Sequence, residues 1–224
     1  MTDLESLRAH YAATPDGRPS RYQAWEVGRA VGDSITPATC DPEYRTWMVA
    51  HLARLLDRGR PDSALLSLGC GNAMVEAELV RAGHRVLAVD VLPEAVDLAH
   101  RKGVDAVCAD VLVWTPPTRA WTVVYADGLA GDLHRYTRGL GPALERFHTW
   151  SQPGIGSLVL SDDPLHVDPD ARTGPDVPGF SWLCALALAD EAEEAGFRDA
   201  TTATITYRGP LPGPRDRAVV TALH

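Results

Sequence analysis

A glycine-rich segment, LLSLGCGN at residues 65–72, ends an apolar run on two glycines that flank a cysteine. Glycine allows the backbone to approach a ligand closely, and a helix that begins after such a turn directs its free N–H groups at that ligand. Asp90 stands about twenty residues later, where a carboxylate can accept charge-assisted hydrogen bonds from two ribose hydroxyls. These residue types at this spacing indicate a site for a nucleotide-like molecule.

Further apolar runs also end at or beside aspartate, which places Asp110, Asp127, Asp162 and Asp163 at predicted strand ends. Ligands of open parallel sheets bind beyond the carboxyl ends of the strands, so these acids are expected to converge on one crevice. Each aspartate taken alone is equally consistent with a cap for the helix that follows it. The set therefore supports a binding site more strongly than any single member does.

The dinucleotide fingerprint G-x-G-x-x-G is one alternative for the glycine-rich turn. The frame that starts at Gly69 reads GCGNAM, so Met74 takes the place of the third glycine. That glycine lets helix and strand pack closely around a pyrophosphate, and its replacement argues against a dinucleotide. A turn that merely links a strand to a helix is the other alternative.

The elements that would position these residues follow from the periodicity after residue 63. Short apolar runs alternate with amphipathic runs, which is typical of parallel strands joined by crossover helices. Strands are predicted at 64–68, 85–90, 105–110, 121–127 and 156–163. Helices are predicted at 73–83, 93–103, 141–150 and 182–197. β-Branched residues on both sides of a Pro/Gly turn predict an antiparallel hairpin with strands at 200–209 and 217–223.

Residues 1–60 are predicted to form a helical cap or lid and residues 61–224 the binding domain, within one structural domain. In the cap, Asp41 as N-cap and Pro42 in the first turn begin an amphipathic helix. The Pro/Gly-rich stretch at 163–179 is a long irregular connection, and it is a candidate lid or binding loop.

Composition argues against several functions. A net charge of -9 opposes contact with phosphate backbones, so no nucleic-acid partner is expected. No apolar run reaches the roughly 18 residues that span a bilayer, so no membrane association is expected. The four cysteines lie far apart without zinc-ligand spacing, and we expect no metal site and reduced thiols in a cytoplasmic protein. A small molecule is the expected substrate.

Taken together, these residues resemble the class I methyltransferases that use S-adenosylmethionine. The family's first motif is similar to LLSLGCGN, its ribose-binding acid corresponds to Asp90 in VLAVDV, and its adenine-binding acid corresponds to Asp110 in VCADV. The resemblance covers about residues 62–224. It implies an α/β, Rossmann-like three-layer sandwich: a mostly parallel seven-stranded sheet in the order 3-2-1-4-5-7-6, a C-terminal antiparallel hairpin and a helical N-terminal appendage. Ser67 departs from the family, which often has an acid at that position.

The resemblance also implies which residues bind S-adenosylmethionine as the cofactor. They belong to the glycine-rich turn, to the ends of the second, third and fourth strands, and to the N-terminal segment. They are Gly69, Cys70, Gly71, Asn72, Asp90, Val91, Asp110, Val111, Asp127, Gly128 and Tyr22. Tyr22 has an alternative role, in which it and Trp25 pack the helical appendage onto the sheet.

Methyl transfer needs a nucleophile held in line with the methyl carbon, and positioning alone supplies much of the rate. An amine or phenol acceptor must also lose a proton. Candidate bases after the fourth and fifth strands are His134, His166, Asp163 and Asp132. The alternative for each histidine is a surface residue without a catalytic function.

Acids of the predicted crevice outnumber its bases, which favours an amino-bearing or cationic acceptor. We therefore expect methyl transfer to a nitrogen or oxygen of a small molecule in specialised, natural-product metabolism. A non-methylating protein that binds S-adenosylmethionine is the alternative. A nicotinamide-dependent oxidoreductase is less favoured, because the chain has a single lysine, Lys102, which leaves little room for a Tyr-x-x-x-Lys proton donor.

Overall fold

One seven-stranded sheet with helices on both faces organises the part of the chain that the structure describes. The computed structural model describes residues 3–12, 17–29, 35–58, 62–118, 120–137, 139–163, 183–209 and 213–224. The strands are β1 (Ala64–Leu68), β2 (Arg85–Asp90), β3 (Asp105–Cys108), β4 (Val123–Asp127), β5 (Ser157–Asp162), β6 (Arg198–Arg208) and β7 (Pro214–Leu223). The helices are α1 (Asp3–Tyr11), α2 (Arg21–Glu26), α3 (Pro37–Cys40), α4 (Pro42–Asp57), α5 (Met74–Arg81), α6 (Pro93–Arg101), α7 (Ala130–Thr137), α8 (Gly141–Trp150) and α9 (Ala185–Glu194). No helix in these ranges is both long and apolar enough to cross a membrane.

The sheet has the strand order β3-β2-β1-β4-β5-β7-β6, which confirms the predicted topology and fold class. Strands β1 to β5 pair in parallel, whereas β7 pairs antiparallel with both β5 and β6. Leu66 in β1 stands beside Leu87 of β2 on one side and Val124 of β4 on the other. The carboxyl ends of these three strands therefore lie next to one another at one edge of the sheet.

Several boundaries differ from the predicted ones. Strand β3 ends at Cys108 instead of Asp110, because the chain turns just beyond it and the Asp110 side chain accepts the N–H of Leu112 in that turn (2.9 Å). The hairpin strands are longer than predicted, since β6 begins at Arg198 and β7 at Pro214. Helix α7, which follows β4 closely, was not predicted from the sequence pattern.

The core lies on both faces of the sheet, because successive side chains of a strand point to opposite faces. In β1, Leu65 belongs to the buried cluster that contains residues of α4 and α5, whereas Leu66 belongs to the cluster of α7, α8 and α9. All five residues of β1 are buried, as expected for a central strand of a parallel sheet.

Helix α4 is part of this core. Asp41 caps its first turn by accepting hydrogen bonds from the N–H groups of Glu43 (2.8 Å) and Tyr44 (3.1 Å). Met48 and Leu52, on its apolar face, have no exposed surface. The division of the chain at residue 60 stays a prediction, and α4, which precedes this position, is buried in the same cluster as strand residues of the sheet.

Helices α1 and α2 form what we call the cover. Helix α2 begins with a capping box, in which Ser20 and Gln23 each accept the other's backbone N–H at 3.1 Å. The Ser20 hydroxyl also donates to Glu94 in the first turn of α6 (2.6 Å). Arg21 donates to the carbonyl of His10 (2.9 Å), which ties α2 to α1. These contacts fasten the cover to the body of the molecule.

Candidate functional site

A cavity of about 370 Å³ lies at the carboxyl edge of the sheet, between the cover and the loops after β1, β2, β3 and β4. Its lining residues are Leu4, Leu7, Tyr11, Tyr22, Trp25, Thr36, Gly69, Gly71, Asp90, Val91, Leu92, Ala109, Asp110, Val111, Leu112, Asp127, Gly128, Leu129, Asp132 and Leu133. Among the described residues that line the cavity, four are aspartates and none is lysine, arginine or histidine. The cavity therefore combines apolar walls with carboxylates at the strand ends.

The glycine-rich turn forms one wall of the cavity. Gly69 and Gly71 have φ angles of +66° and +53°, in the region that favours glycine. The N–H groups of Gly69 and Cys70 donate to the carbonyl of Val89 (2.8 and 3.2 Å), which fixes the turn to β2. A Cβ atom on Gly69 would lie 3.1 Å from Cδ1 of Leu129. Backbone conformation thus favours glycine at both positions, and space adds a second reason at Gly69.

Asp90, the last residue of β2, lies beside this turn. Its Oδ2 accepts the N–H of Gly71 (3.0 Å), and its Oδ1 accepts the N–H of Leu92 (2.9 Å). Burial raises the pKa of this carboxyl to about 6, although the backbone donors act to lower it. Each oxygen has two lone pairs, so the carboxylate can accept further hydrogen bonds from a ligand. Asp90 is therefore oriented, and mostly ionised at neutral pH.

Asp110 lies on the same cavity although it follows β3 instead of ending it. The N–H of Ala109 donates to the carbonyl of Asp90 (2.9 Å), which brings the two loops together. Val91 and Val111, the residues after the two aspartates, also line the cavity. The structure thus brings together both predicted acids and the residues that follow them.

Asp127 and Gly128, at the end of β4, form the next part of the wall. Oδ1 of Asp127 accepts a hydrogen bond from the Arg217 guanidinium, and Oδ2 accepts the hydroxyl of Tyr125 (3.2 Å). The N–H of Gly128 donates to the carbonyl of Ser161 in β5 (2.7 Å). Arg217 was not among the predicted site residues. Its signal in the sequence is a charged residue at the start of the apolar run RAVVTAL.

The candidate bases are placed differently from one another. Asp132, in the first turn of α7, lines the cavity. His134 is half-buried on the same helix, and Asp163 contacts Arg217 (3.1 Å) and accepts the hydroxyl of Tyr207 (3.3 Å). Neither His134 nor Asp163 is among the described residues that line the cavity.

The remaining candidate base, His166, lies outside the described residues. The catalytic roles of His134, Asp163 and His166 stay predictions.

Cys70 and Asn72 do not line the large cavity but a neighbouring one of about 20 Å³. The amide of Asn72 donates to Glu26 of α2 (3.0 Å) and accepts the hydroxyl of Thr39 in α3 (3.0 Å). Lys102 donates to the same Glu26 oxygen (2.6 Å) and to the backbone carbonyl of Asn72. These side chains fasten the cover to the glycine-rich turn, and a cofactor contact for Cys70 or Asn72 stays a prediction.

Aromatic side chains of the cover close the cavity from the other side. Tyr11 stacks on Tyr22 with ring centroids 5.4 Å apart, and Tyr22 meets Trp25 edge to face at 5.2 Å. A Cβ atom on Gly71 would lie 3.5 Å from the Trp25 ring, so this ring sits on the glycine-rich turn. Tyr22 lines the cavity and also packs within the cover, and its contact with a cofactor stays a prediction.

Ser67 has a partner that the sequence did not reveal. Its hydroxyl donates to the carboxyl of Glu76 in the first turn of α5, and both side chains are buried. Burial raises the pKa of Glu76 to about 7, although the hydroxyl acts to lower it. An acidic group therefore lies beneath the turn, supplied by the helix instead of the strand.

Comparison of the sequence with known proteins found a matching family model and a curated relative. A family model described as a methyltransferase domain matches residues 43–202. A curated relative, the tabtoxin biosynthesis enzyme of Pseudomonas amygdali pv. tabaci, is 37% identical over 229 residues, which cover 100% of this chain and 89% of the relative. In both cases the matched part of this chain includes the glycine-rich turn and the strand-end aspartates.

Solved structures of similar fold include the magnesium protoporphyrin IX methyltransferase of Synechocystis PCC 6803 with bound S-adenosylmethionine. The TM-score is 0.62 and the sequence identity is 14%, and the match covers 100% of this chain and 98% of that one. The 1,6-didemethyltoxoflavin-N1-methyltransferase of Burkholderia thailandensis, with S-adenosylhomocysteine and its acceptor bound, has a TM-score of 0.56 and 21% identity over 81% and 89% of the two chains. The [4+2]-cyclase SpnF has a TM-score of 0.60 and 15% identity over 78% and 80%. At these identities the likeness is one of fold.

Proposed function

Since the chain belongs to the class I methyltransferases that use S-adenosylmethionine, we propose that it transfers a methyl group to a nitrogen or oxygen of a small molecule. We place this reaction in specialised, natural-product metabolism, because the relative at 37% identity is named for the biosynthesis of tabtoxin. The proposed location is the cytoplasm, in keeping with four free thiols.

The observation that carries the proposal is the contact between Asp90 and the glycine-rich turn. One oxygen of this buried carboxylate holds the N–H of Gly71 at 3.0 Å, so acid and turn form a single rigid cradle. Gly69 and Gly71 both line the cavity, where a residue without a side chain lets a ligand approach the backbone closely. We propose that Asp90 holds the ribose hydroxyls and Asp110 the adenine of S-adenosylmethionine.

When bound, S-adenosylmethionine supplies a methyl group on a positively charged sulfur. The chain's own part is to orient the acceptor and to exclude water, and the apolar side chains of the cover and α7 suit both tasks. Leu4 and Leu7 from α1 face this cavity together with Leu129 and Leu133 beside and on α7. We therefore place the acceptor between α1 and α7.

The charge of the cavity supports an amino-bearing or neutral acceptor. Asp127, Asp162 and Asp163 lie around Arg217, so three of the acids counted from the sequence have a buried cationic partner. Asp132 lines the cavity on α7, where its carboxylate would favour an amine over an acid. We propose Asp132 as the first base to test, beside the predicted His134, His166 and Asp163.

Replacement of Asp90 by alanine tests the cofactor site. We expect Asp90→Ala to lose S-adenosylmethionine binding in calorimetry by more than about 100-fold, since two charge-assisted hydrogen bonds would be lost. Asp97→Ala is the matched control, because Asp97 is an exposed aspartate on the following helix. Equal affinity of Asp90→Ala and the native protein would remove the assignment.

The acceptor class is tested with methyl-labelled S-adenosylmethionine and compounds that carry an amine, a phenol or a carboxylic acid on one common scaffold. We expect label in the amine or the phenol and none in the acid. Preferred labelling of the carboxylic acid would contradict the proposed acceptor.

A second candidate function is an enzyme that binds S-adenosylmethionine without transferring its methyl group. The chain is similar in fold to a [4+2]-cyclase, so this fold also supports a reaction other than methyl transfer. We retain this candidate for that reason. Tight binding of the cofactor with no label transfer to any acceptor would favour this candidate.

A further inference from the structure

Arg217 is a buried cation at the site that belongs to the hairpin, far along the sequence from the cofactor motifs. It lies on β7 with 3% of its side chain exposed. Its Nε donates to the hydroxyl of Ser161 (2.9 Å), and Nη2 donates to the carbonyl of Ser161 (3.2 Å) and to Asp127. Nη1 lies 3.1 Å from Asp163 and 4.0 Å from Asp162.

This guanidinium also touches the cavity wall. Asp127 and Gly128 both line the cavity, and a Cβ atom on Gly128 would lie 3.1 Å from Nη2 of Arg217. The φ angle of Gly128 is +75°, so the turn passes directly over the guanidinium in a conformation that favours glycine. Arg217 therefore contacts the side chain of Asp127 and packs against the Gly128 turn, both of which line the cavity.

The surroundings explain why a cation is needed there. Three carboxyl groups meet in a buried region, and like charges at such distances cannot all be ionised without a partner. Burial raises the pKa of Asp162 to about 7, although the neighbouring Arg217 acts to lower it. Burial disfavours the charge of Arg217, but the neighbouring aspartates outweigh it and keep its pKa well above the ordinary value.

We infer that Arg217 is a positioning residue for cofactor binding, which acts through Asp127 by fixing its carboxylate and the Gly128 turn at the cavity wall. The inference rests on the proposed function, in which Asp127 contacts the cofactor. It extends the site to β7, so the antiparallel hairpin contributes to binding as well as to the sheet.

A double-mutant cycle on S-adenosylmethionine affinity tests the inference. The four proteins are the native chain, Asp127→Asn, Arg217→Lys and the double variant, each measured by calorimetry below its unfolding temperature. We expect Arg217→Lys to bind about tenfold more weakly, because a point charge replaces the fork of donors. We expect the double variant to bind no more than about twofold more weakly than Asp127→Asn, because residues that act as a unit are not additive.

Arg45→Lys is the matched control. Arg45 also pairs with an acid, Glu78 (2.7 Å), and donates to a carbonyl, that of Ala38 (2.8 Å), but it does not line the cavity. It should lose stability without losing affinity. If Arg217→Lys does not fold, Ser161→Ala takes its place, because it removes the Nε partner without changing a buried charge. This variant should lose about threefold in affinity and show the same non-additivity with Asp127→Asn.

Native affinity in Arg217→Lys, or losses that multiply in the double variant, would overturn the positioning role. Two different results would contradict the proposed function itself: the native chain does not bind S-adenosylmethionine, or Asp90→Ala binds it with native affinity. Absence of binding by the native chain would overturn both the proposed function and the positioning role of Arg217.

Discussion

Three carboxyl groups near the site are buried, and their surroundings set their charge. Burial raises the pKa of Asp90 to about 6 and those of Glu76 and Asp162 to about 7. Asp90 accepts two backbone N–H groups, whereas Glu76 has the hydroxyl of Ser67. Of the three, Asp90 lines the cavity, so its charge is the one that a ligand meets.

The stability of the protein should respond to pH through Glu76. Its pKa in the folded protein lies above the ordinary value of 4.5, so its charge costs stability as the pH rises through about 7. We expect Glu76→Gln to gain stability relative to the native chain between about pH 5 and about pH 9, by at most roughly 3 kcal/mol. Urea unfolding at both pH values measures the difference.

Glu78→Gln on the same helix is the control, since Glu78 is partly exposed and pairs with Arg45. It should change stability equally at both pH values. A stability difference between Glu76→Gln and the native chain that does not vary with pH would mean that Glu76 is not the titrating group.

Site residues could be predicted from the sequence where their function depends on their spacing within a short segment. The glycine-rich turn, Asp90 and Asp110 could be placed because they follow strands that the apolar pattern marks. Arg217 could not, because it contacts Asp127 across 90 positions of sequence and nothing local signals this pair. Glu76 likewise reads as an ordinary acid in the first turn of a helix until the packing against β1 is known.

At the scale of elements, the cover depends on a few polar contacts and an aromatic cluster. Glu26 at the end of α2 accepts hydrogen bonds from both Lys102 and Asn72. The ion pair is partly exposed, with 18% and 31% of the two side chains accessible, so its contribution is small. Elements held this weakly are the ones that open locally before the core does.

Removal of the lysine contact should loosen the cover. We expect Lys102→Met to speed hydrogen exchange of the α2 amides and to weaken S-adenosylmethionine binding by up to about fivefold. Arg101→Met is the control, because Arg101 is the exposed last residue of α6, next to Lys102. Equal exchange rates in the native chain, Lys102→Met and Arg101→Met would show that the contact does not hold the cover.

Elements with a clear apolar period were predictable from the sequence, whereas elements without one were not. The parallel strands, α5, α6, α8 and the hairpin were recognised because apolar spacing is set by the faces they bury. Helix α3 has four residues, too few for a period to emerge. Helix α7 has eight residues, as many as α5, but its sequence AGDLHRYT contains few apolar residues to mark a face. The end of β3 was misplaced because Asp110 resembles the strand-end aspartates but bonds within the next turn.

At the scale of the whole molecule, the position of α4 determines which part of the N-terminal segment belongs to the core and which part can be removed. Its buried residues lie in the same cluster as Leu65 of β1 and Val123 of β4. Helices α1 and α2, by contrast, contact the carboxyl edge and line the cavity. The N-terminal segment thus contains one part that completes the core and another that closes the site.

Two truncations distinguish these parts. A chain that begins at residue 37 should still unfold cooperatively on heating but bind S-adenosylmethionine weakly, because it keeps α4 and loses the cover. A chain that begins at residue 61 should not fold, because the loss of buried residues such as Met48 and Leu52 costs about 2 to 5 kcal/mol each. Cooperative unfolding of the shorter chain at the native temperature would instead support a domain boundary at residue 60.

The sequence contains one lysine, and that lysine holds Glu26 and the carbonyl of Asn72. An acylating reagent selective for ε-amines would therefore modify this chain at a single side chain, and only while the ammonium group is detached and deprotonated. The rate of such labelling, followed by mass spectrometry, would report how often Lys102 leaves Glu26 and the Asn72 carbonyl, without any engineered probe.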